Sequence, residues 1–198
     1  MDKNYWENIY NKEDAVPAEP SAFALFIVNM LVDQKEHNIH SIVDLGCGNG
    51  RDSYYLAKYG TVVGIDLATK PDDKTNVTFL QRSMDDIEGQ HDLMYMRFSL
   101  HSIPEEVEEK VLNHAMKYCK YLAIEARSTA DKLSGGKGEN SVETSYASKH
   151  YRRYIDKDKI VSKLKNRGFN ILHVSESDTY AKYKDTSPTC VRVVACIS

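Results

Sequence analysis

The sequence predicts an α/β fold in which a mostly parallel sheet is covered by helices on both faces. From residue 41 onward, short apolar runs that read as strands alternate with segments of helical periodicity. A glycine-rich turn at Gly46–Gly50 joins the first strand to a helix, and two late strands follow each other without a helix between them. The late pair is expected to be antiparallel at one edge. The 198 residues suit a single domain spanning residues 1–198.

The first half of the chain contains the predicted strands that end in acidic residues or glycines. A short helix and a proline-bearing loop are expected within residues 1–20, and Ser21 opens a helix that runs to about Asp33. A buried strand at Ser41–Leu45 leads into a helix at 51–59, which Gly60 is expected to end in the left-handed conformation. The next three predicted strands are 61–65, 77–81 and 91–96.

The second half continues the alternation around one long irregular segment. Residues 128–148 include Ser134–Gly138, lack apolar periodicity and are predicted to form a loop. Gly168 is expected to stop the helix that precedes the late strand pair. The predicted elements here are a helix at 105–117, a strand at 121–125, a helix at 157–166, and strands at 170–177 and 189–197.

Composition argues against several classes of protein. The formal net charge of −3 disfavours a nucleic-acid binder with a broad basic face. The four cysteines form no CxxC pair and lack zinc-ligand spacing with histidine, so no metal site is predicted and reduced thiols are expected. There is no apolar run of signal-peptide type or of membrane-spanning length. A cytoplasmic protein that contacts neither nucleic acid nor membrane is expected, and nothing indicates its oligomeric state.

The glycine-rich turn predicts a nucleotide-like ligand. In a parallel sheet, the first strand–helix turn lines the crevice at the carboxyl ends of the strands, and Asp66 ends the second strand twenty residues after Gly46, where a ribose diol would lie. The dinucleotide pattern G-x-G-x-x-G fails at Arg51, and the Gly-Lys-Ser/Thr of a phosphate loop is absent. Asp44, just before the glycines, would repel a pyrophosphate but suits an ammonium group.

The run from Asp44 to Gly50 resembles motif I of the class I S-adenosylmethionine (SAM)-dependent methyltransferases, and residues 92–97 occupy the position of motif IV in the fourth strand. The resemblance in sequence covers residues 40–125. The rest of the chain resembles the family only in the order of its predicted strands and helices. The resemblance implies a Rossmann-like seven-stranded, mostly parallel sheet, with SAM as cofactor and S-adenosylhomocysteine (SAH) as product. It also implies that Asp85 contacts the adenine amino group; the alternative is that Asp85 caps a helix. The expected cofactor-binding residues are Trp6, Asp44, Gly46, Cys47, Gly48, Asn49, Arg51, Asp66, Leu67, Met84, Asp85 and Met96.

The same resemblance assigns a lid role to the N-terminal helical region, residues 1–35. Tyr5 and Trp6 would then shield the sulfonium with their rings, with Tyr5 also reaching the substrate. The alternative is that this helix simply packs on the domain. Residues 134–138 are a candidate second lid or an ordinary surface loop.

The end of the fourth strand points away from two classes of methyltransferase. It lacks the Asp/Asn-Pro-Pro-Tyr/Phe sequence of enzymes that methylate base or amide nitrogen, and reads Arg97-Phe98-Ser99-Leu100-His101 instead. A DNA adenine or protein glutamine methyltransferase is therefore disfavoured. His101 is the candidate catalytic base for a hydroxyl acceptor. The alternatives are that it caps the next helix or packs against the cofactor.

Several arginines are predicted near the same mouth, which favours a small anionic acceptor. Arg127 could instead pair with Glu125, and Arg152 with Arg153 could be a solvated surface pair. The candidate substrate-binding residues are Tyr5, Arg97, Arg127, His150, Tyr151, Arg152 and Arg153.

These substrate-side segments are similar to small bacterial methyltransferases of capsule and cell-surface glycan clusters. That similarity implies a phosphorylated, phosphoramidate or sugar-linked acceptor, methylated on oxygen by in-line displacement. A small-molecule N-methyltransferase and a non-catalytic SAM-binding module remain alternatives, while net charge disfavours an RNA methyltransferase.

Overall fold

The computed structural model describes residues 3–10, 17–68, 71–132, 142–145 and 148–197. The strands are β1 Ser41–Leu45, β2 Thr61–Asp66, β3 Val77–Gln81, β4 His91–Arg97, β5 Cys119–Arg127, β6 Val142–Ser145, β7 Ser148–Tyr151, β8 Phe169–Ser177 and β9 Cys190–Ile197. The α-helices are α1 Lys3–Tyr10, α2 Ala22–Ile27, α3 Arg51–Leu56, α4 Glu105–Tyr118 and α5 Lys157–Asn166. In these ranges, no helix has the length and apolar character needed to cross a membrane.

A seven-stranded sheet has the order β3-β2-β1-β4-β5-β9-β8. The strands from β1 to β5 pair in parallel, whereas β9 runs antiparallel to both β5 and β8. The predicted fold class is confirmed, including the C-terminal antiparallel pair. Because the chain leaves β1 toward β2 and later returns to the other side of β1 through β4, the strand order reverses between β1 and β4. A ligand crevice is expected at that point.

Apolar side chains bury both faces of the sheet. On one face, α4 and α5 contribute residues such as Leu112 and Leu164. On the other, α2 and α3 contribute Phe23, Ile27 and Leu56. With both faces covered, the central strands are apolar runs, and the polar side chains that remain lie at the strand ends.

Local signals position several helices as the sequence indicates. The Ser21 hydroxyl accepts a hydrogen bond from the Ala24 N–H and so begins α2, which continues as a π-helical turn over Val28–Val32. Gly168 has a φ of +85° and follows the end of α5, as predicted.

Two local predictions are wrong. Gly60 is not among the glycines with positive φ; it is required because a Cβ there would lie 2.6 Å from the His40 carbonyl oxygen. Within the segment predicted to be a loop, β6 and β7 form an antiparallel hairpin. Residues 134–138, proposed as a second lid, lie outside the described residues.

Candidate functional site

A cavity of about 270 Å³ lies at the carboxyl ends of β1, β2 and β4, at the predicted crevice. Its roof is α1, which turns Lys3, Trp6, Ile9 and Tyr10 toward it. The other lining residues are Asp44, Gly46, Cys47, Gly48, Asn49, Arg51, Asp52, Asp66, Leu67, Met84, Tyr95, Arg97, Phe98, Ser99, His101, Ser102, Arg127 and Arg152. The cavity therefore brings together most of the predicted cofactor and substrate residues.

The turn after β1 keeps its backbone close to the cavity. Gly46, Gly48 and Gly50 all have φ between +56° and +77°, a conformation that side chains rarely adopt. A Cβ at Gly46 would lie 2.4 Å from the Cβ of Ser99. The Ser99 hydroxyl is buried and has no hydrogen-bond partner among the described residues. An unsatisfied hydroxyl beside a bare backbone turn suits the polar groups of a ligand.

Asp44 is a buried carboxylate at the cavity wall. Its side chain is 2% exposed, and its Oδ2 accepts a hydrogen bond of 2.6 Å from the Ser53 hydroxyl. Burial, reinforced by the charges of Asp52 and Asp66, raises the pKa of Asp44 from 3.8 to about 7. No cation among the described residues forms a salt bridge with Asp44, so a bound cation would relieve this cost.

Asp66 ends β2 on the other side of the glycine turn. Its Oδ2 accepts a hydrogen bond from the Gly48 N–H at 2.9 Å, and its Oδ1 accepts one from the Ala68 N–H at 2.8 Å. Burial raises the pKa of Asp66, while these two amides oppose the rise. Both carboxylate oxygens keep further lone pairs for ligand hydroxyls.

The roof helix brings an aromatic residue close to the turn. Tyr10 lies over Gly48, where an added Cβ would be 2.6 Å from the tyrosine hydroxyl oxygen. Burial, followed by the charge of Asp66, raises the pKa of Tyr10. Trp6 stacks on Tyr10 with ring centroids 6.0 Å apart. In this arrangement α1 covers the turn, which fits both the lid and simple packing of the helix on the domain.

A polar cluster under the cavity was missed by the sequence analysis. Asp52, in the first turn of α3, accepts hydrogen bonds from the Ser21 N–H, the Ser21 hydroxyl and the Tyr95 hydroxyl at 2.7 to 2.8 Å. These bonds join α2, α3 and β4. The only signal was an acidic residue immediately after the glycine turn, and its partners are distant in sequence.

Three charged residues lie in one row across neighbouring strands. Arg97 of β4 is in register with Glu125 of β5, and Glu125 with Arg192 of β9. Arg97 Nε donates to Glu125 Oε1 at 3.0 Å, and Arg192 Nε donates to Oε2 at 2.7 Å. Burial raises the pKa of Glu125 even with two guanidinium groups beside it. The triad holds Arg97 at the cavity wall, and it is Arg97 and Arg192, rather than Arg127, that pair with Glu125.

Arg127 and His101 lie next to each other at the ends of β5 and β4. The Arg127 backbone N–H donates to His101 Nδ1 at 3.0 Å, and both side chains line the cavity. Arg127 Nη1 is buried and makes no hydrogen bond within the described residues. A guanidinium in this state is available to an anionic ligand.

Arg153 has a structural environment that the sequence did not reveal. It is buried, pairs with Glu108, and donates from Nε to the Ile103 carbonyl and from Nη2 to the Leu100 carbonyl. Its backbone N–H also donates to the His101 carbonyl at 2.9 Å. Arg153 therefore fixes the turn that carries His101 and is not among the cavity-lining residues, whereas its neighbour Arg152 is. The two arginines do not form a solvated surface pair.

Four other predicted site residues are also absent from the cavity lining. Asp85 begins no helix and is bonded to Ser83 and Lys110, which lower its pKa. Met96 is wholly buried in the core beneath the site. Tyr5 lies outside the lining, and its ring meets that of the cavity-lining Trp6 edge to face. Tyr151, also outside the lining, ends β7. His150 also lies in β7, and its side chain is outside the described part of the chain.

Phe98 completes the wall between Arg97 and His101 and carried no sequence signal. It has a φ of +58°, which a side chain of this size rarely adopts. The Arg97 guanidinium lies 4.4 Å from the Phe98 ring centroid, and the His101 ring lies 5.3 Å from it. Strained backbone at a cavity wall is typical of functional sites.

Residues 42–121 match the methyltransferase domain family. No curated protein matches the chain by sequence. Among solved structures, a SAM-dependent methyltransferase from Clostridium acetobutylicum is 16% identical over 98% of both chains, with a TM-score of 0.65. Magnesium protoporphyrin IX methyltransferase from Synechocystis, with bound SAH, is 17% identical over 98% of this chain and 93% of its own, with a TM-score of 0.67.

A third similar structure contains a small-molecule substrate. The 1,6-didemethyltoxoflavin-N1-methyltransferase from Burkholderia thailandensis, with its substrate and SAH bound, is 16% identical over 89% of this chain and 76% of its own, with a TM-score of 0.64. At such identities the likeness establishes the fold.

We expect D44N to stabilise the protein at high pH. Because the pKa of Asp44 is higher in the folded protein than in the unfolded chain, stability falls as pH rises from 3.8 to about 7. At about pH 8 the variant should exceed the wild type by on the order of 3 kcal/mol, and near pH 5 by much less. Urea unfolding at the two pH values measures both differences in the free energy of unfolding. D178N removes an exposed carboxylate and is the control; equal effects of the two variants would contradict the prediction.

We expect R153M to lose stability and R152M to retain it. R153M leaves the buried Glu108 with only Lys163 as a partner and should cost about 3 kcal/mol. R152M should cost about 1 kcal/mol or less. Urea unfolding of both variants tests this contrast. Similar losses of unfolding free energy in the two variants would mean that Arg153 does not hold the turn that carries His101 in place.

Proposed function

We propose that the protein transfers the methyl group of SAM to a small, anionic acceptor, most readily at oxygen. The observation that carries this proposal is a difference in charge between two halves of the cavity at the strand ends. Carboxylates lie at the ends of β1 and β2, whereas arginines lie at the ends of β4 and β5. Lys3 on α1 and Arg51 on α3 add two further cations to the lining. A cationic cofactor suits the first half and an anionic acceptor the second.

The chemistry of the first half fits SAM. The buried carboxylate of Asp44 would hold the ammonium group, and Asp66 would accept hydrogen bonds from the ribose hydroxyls. The bare glycine turn and the Ser99 hydroxyl would face the methionine end. When bound, SAM supplies a methyl group that is already activated on a sulfonium.

The residues of this chain would then act mainly by positioning. Arg97, held by Glu125, and Arg127 would orient the acceptor, while Trp6 and Tyr10 on α1 would exclude water from above. Proximity and orientation account for most of the rate that such a site needs to supply. We propose α1 as the lid, since its side chains form the roof of the cavity.

The proposed acceptor is phosphorylated, phosphoramidate or sugar-linked, as in capsule and cell-surface glycan biosynthesis. The cluster of arginines supports an anion, while a small-molecule amine would be repelled by it. For that reason, O-methylation is favoured over N-methylation. A cavity of about 270 Å³ supports a small molecule.

SAM affinity should depend on pH through Asp44. Since the pKa of Asp44 is raised to about 7, binding of the cation should weaken as pH falls below 7, by up to about tenfold per pH unit. D44N should bind weakly at every pH, although it folds more stably. Calorimetric titration with SAM and SAH measures this, with D178N as the matched control. Wild-type affinity in D44N would contradict the proposal for the cofactor.

Methyl transfer should favour anionic acceptors and depend on Arg127. We expect R127Q to lower kcat/KM for such acceptors at least about tenfold, because a charge-assisted hydrogen bond is lost. SAM affinity should be unchanged. R82Q removes an arginine that pairs with Asp86 and Glu88 outside the cavity and is the control.

The assay is transfer of labelled methyl to a panel of phosphorylated, carboxylated, amine and neutral compounds. Preference for neutral compounds or amines would overturn the anionic acceptor. Intact SAM binding without transfer to any compound would favour a non-catalytic SAM-binding module.

A further inference from the structure

His101 has a fixed tautomer in this fold. Its Nδ1 lies 3.0 Å from the backbone nitrogen of Arg127, and a backbone amide can only donate. Nδ1 must therefore be unprotonated, and the hydrogen of the neutral imidazole is on Nε2. The side chain is 2% exposed and lines the cavity, so solvent does not compete for this arrangement.

The surroundings of His101 oppose a second proton. Protonated Nδ1 would place one N–H against another at the Arg127 amide. The Arg153 N–H holds the His101 carbonyl at 2.9 Å, which keeps the backbone of the turn in place. Arg97, Arg127 and Arg152 line the same cavity, and their charges disfavour another cation. The carboxylates of the lining favour one, so the hydrogen bond at Nδ1 is the main obstacle to a second proton. Nε2 already carries a hydrogen, so His101 cannot accept a proton there.

The described residues offer no base at the ends of β4 and β5, where His101 lies. The carboxylates that line the cavity are Asp44, Asp52 and Asp66, and they lie on β1, α3 and β2. Asp52 already accepts hydrogen bonds from Ser21 and Tyr95. Apart from His101, the ionisable side chains that line the cavity at the ends of β4 and β5 are Arg97 and Arg127, which only donate hydrogen bonds.

We propose that His101 donates a hydrogen bond through Nε2 to the acceptor and that the methylated atom is an oxyanion of an acid, giving a methyl ester. This inference rests on the proposed function and narrows its acceptor to a carboxylate or phosphate-type oxygen that is ionised before it binds. The expected role as a base for a hydroxyl is replaced by a role in positioning and in charge stabilisation.

The reaction balances without proton transfer. The acceptor oxyanion attacks the methyl carbon, the O–C bond forms as the C–S bond breaks, and the C–S electron pair remains on sulfur in SAH. Oxyanion and sulfonium charges cancel in the products. An alcohol acceptor, by contrast, would release a proton that no described group on this wall can take.

The tautomer can be tested without an acceptor. In protein labelled with ¹⁵N-histidine and loaded with SAH, long-range ¹H–¹⁵N spectra should show His101 with unprotonated Nδ1 and protonated Nε2 between about pH 6 and pH 9. The spectrum of H101Q assigns the signal by its loss. A protonated Nδ1, or an unprotonated Nε2 at any pH in this range, would overturn the inference.

Two variants separate the donor from the structural contact. H101Q retains an N–H donor near the Nε2 position, whereas H101N retains an oxygen near Nδ1 that can accept from the Arg127 amide. With inorganic phosphate and acetate as probes of the SAH-loaded protein, H101Q should bind within about threefold of wild type and H101N roughly tenfold more weakly. Whichever probe binds the wild type more tightly indicates whether the acceptor is a phosphate-type acid or a carboxylic acid.

Equal binding by H101N and wild type would overturn the donor role, as would failure of both probes to bind the SAH-loaded wild type. If SAH itself does not bind, the proposed function fails, and the free protein's histidine spectrum still reports the tautomer. Fluorescence-detected unfolding of both variants checks that each is folded at the temperature of titration.

Discussion

Glu125 is wholly buried, and the ion pairs that it forms with Arg97 and Arg192 are the interaction on which the arginine-lined side of the cavity depends. A buried carboxylate without cations would be strongly destabilising. The pairing is possible because β4, β5 and β9 place the three residues in one row of the sheet. This requirement ties the antiparallel strand β9 to a residue that lines the cavity, so the C-terminal pair supports the site as well as closing the sheet.

The order of the strands also divides the site by charge. β1 and β2 lie on one side of the reversal point and end near Asp44 and Asp66, whereas β4 and β5 lie on the other and end near Arg97 and Arg127. The opposite charges thus face a common cavity without all neutralising each other. A site of this form can hold a cation and an anion at once and bring them into contact. In the proposed function, the cation is the cofactor and the anion is the acceptor.

The sequence predicted most of the elements, and it indicated the glycine turn and the carboxylates that line the cavity, because those features are local. The strand–glycine–helix pattern lies within ten residues, and Asp66 follows at the end of the next strand. The prediction failed for Gly60, where the reason for glycine is the carbonyl of His40 on the neighbouring chain segment. Likewise, nothing adjacent to Arg153 distinguishes it from Arg152; only folding brings it to Glu108. The tautomer of His101 depends on an amide twenty-six residues away.

Several features of the site lower stability, and they occur together. Among the described residues, Asp44 is a buried acid with no salt-bridge partner, the Ser99 hydroxyl has no hydrogen-bond partner, and Phe98 has a left-handed backbone that costs on the order of 1 kcal/mol or more. Each could be relieved by a common substitution, such as asparagine, alanine or glycine. Structural requirements alone do not explain why three unfavourable choices line one cavity. A ligand that pairs with Asp44, bonds to Ser99 and packs on Phe98 accounts for all three, because its binding would offset costs that the empty fold must otherwise bear.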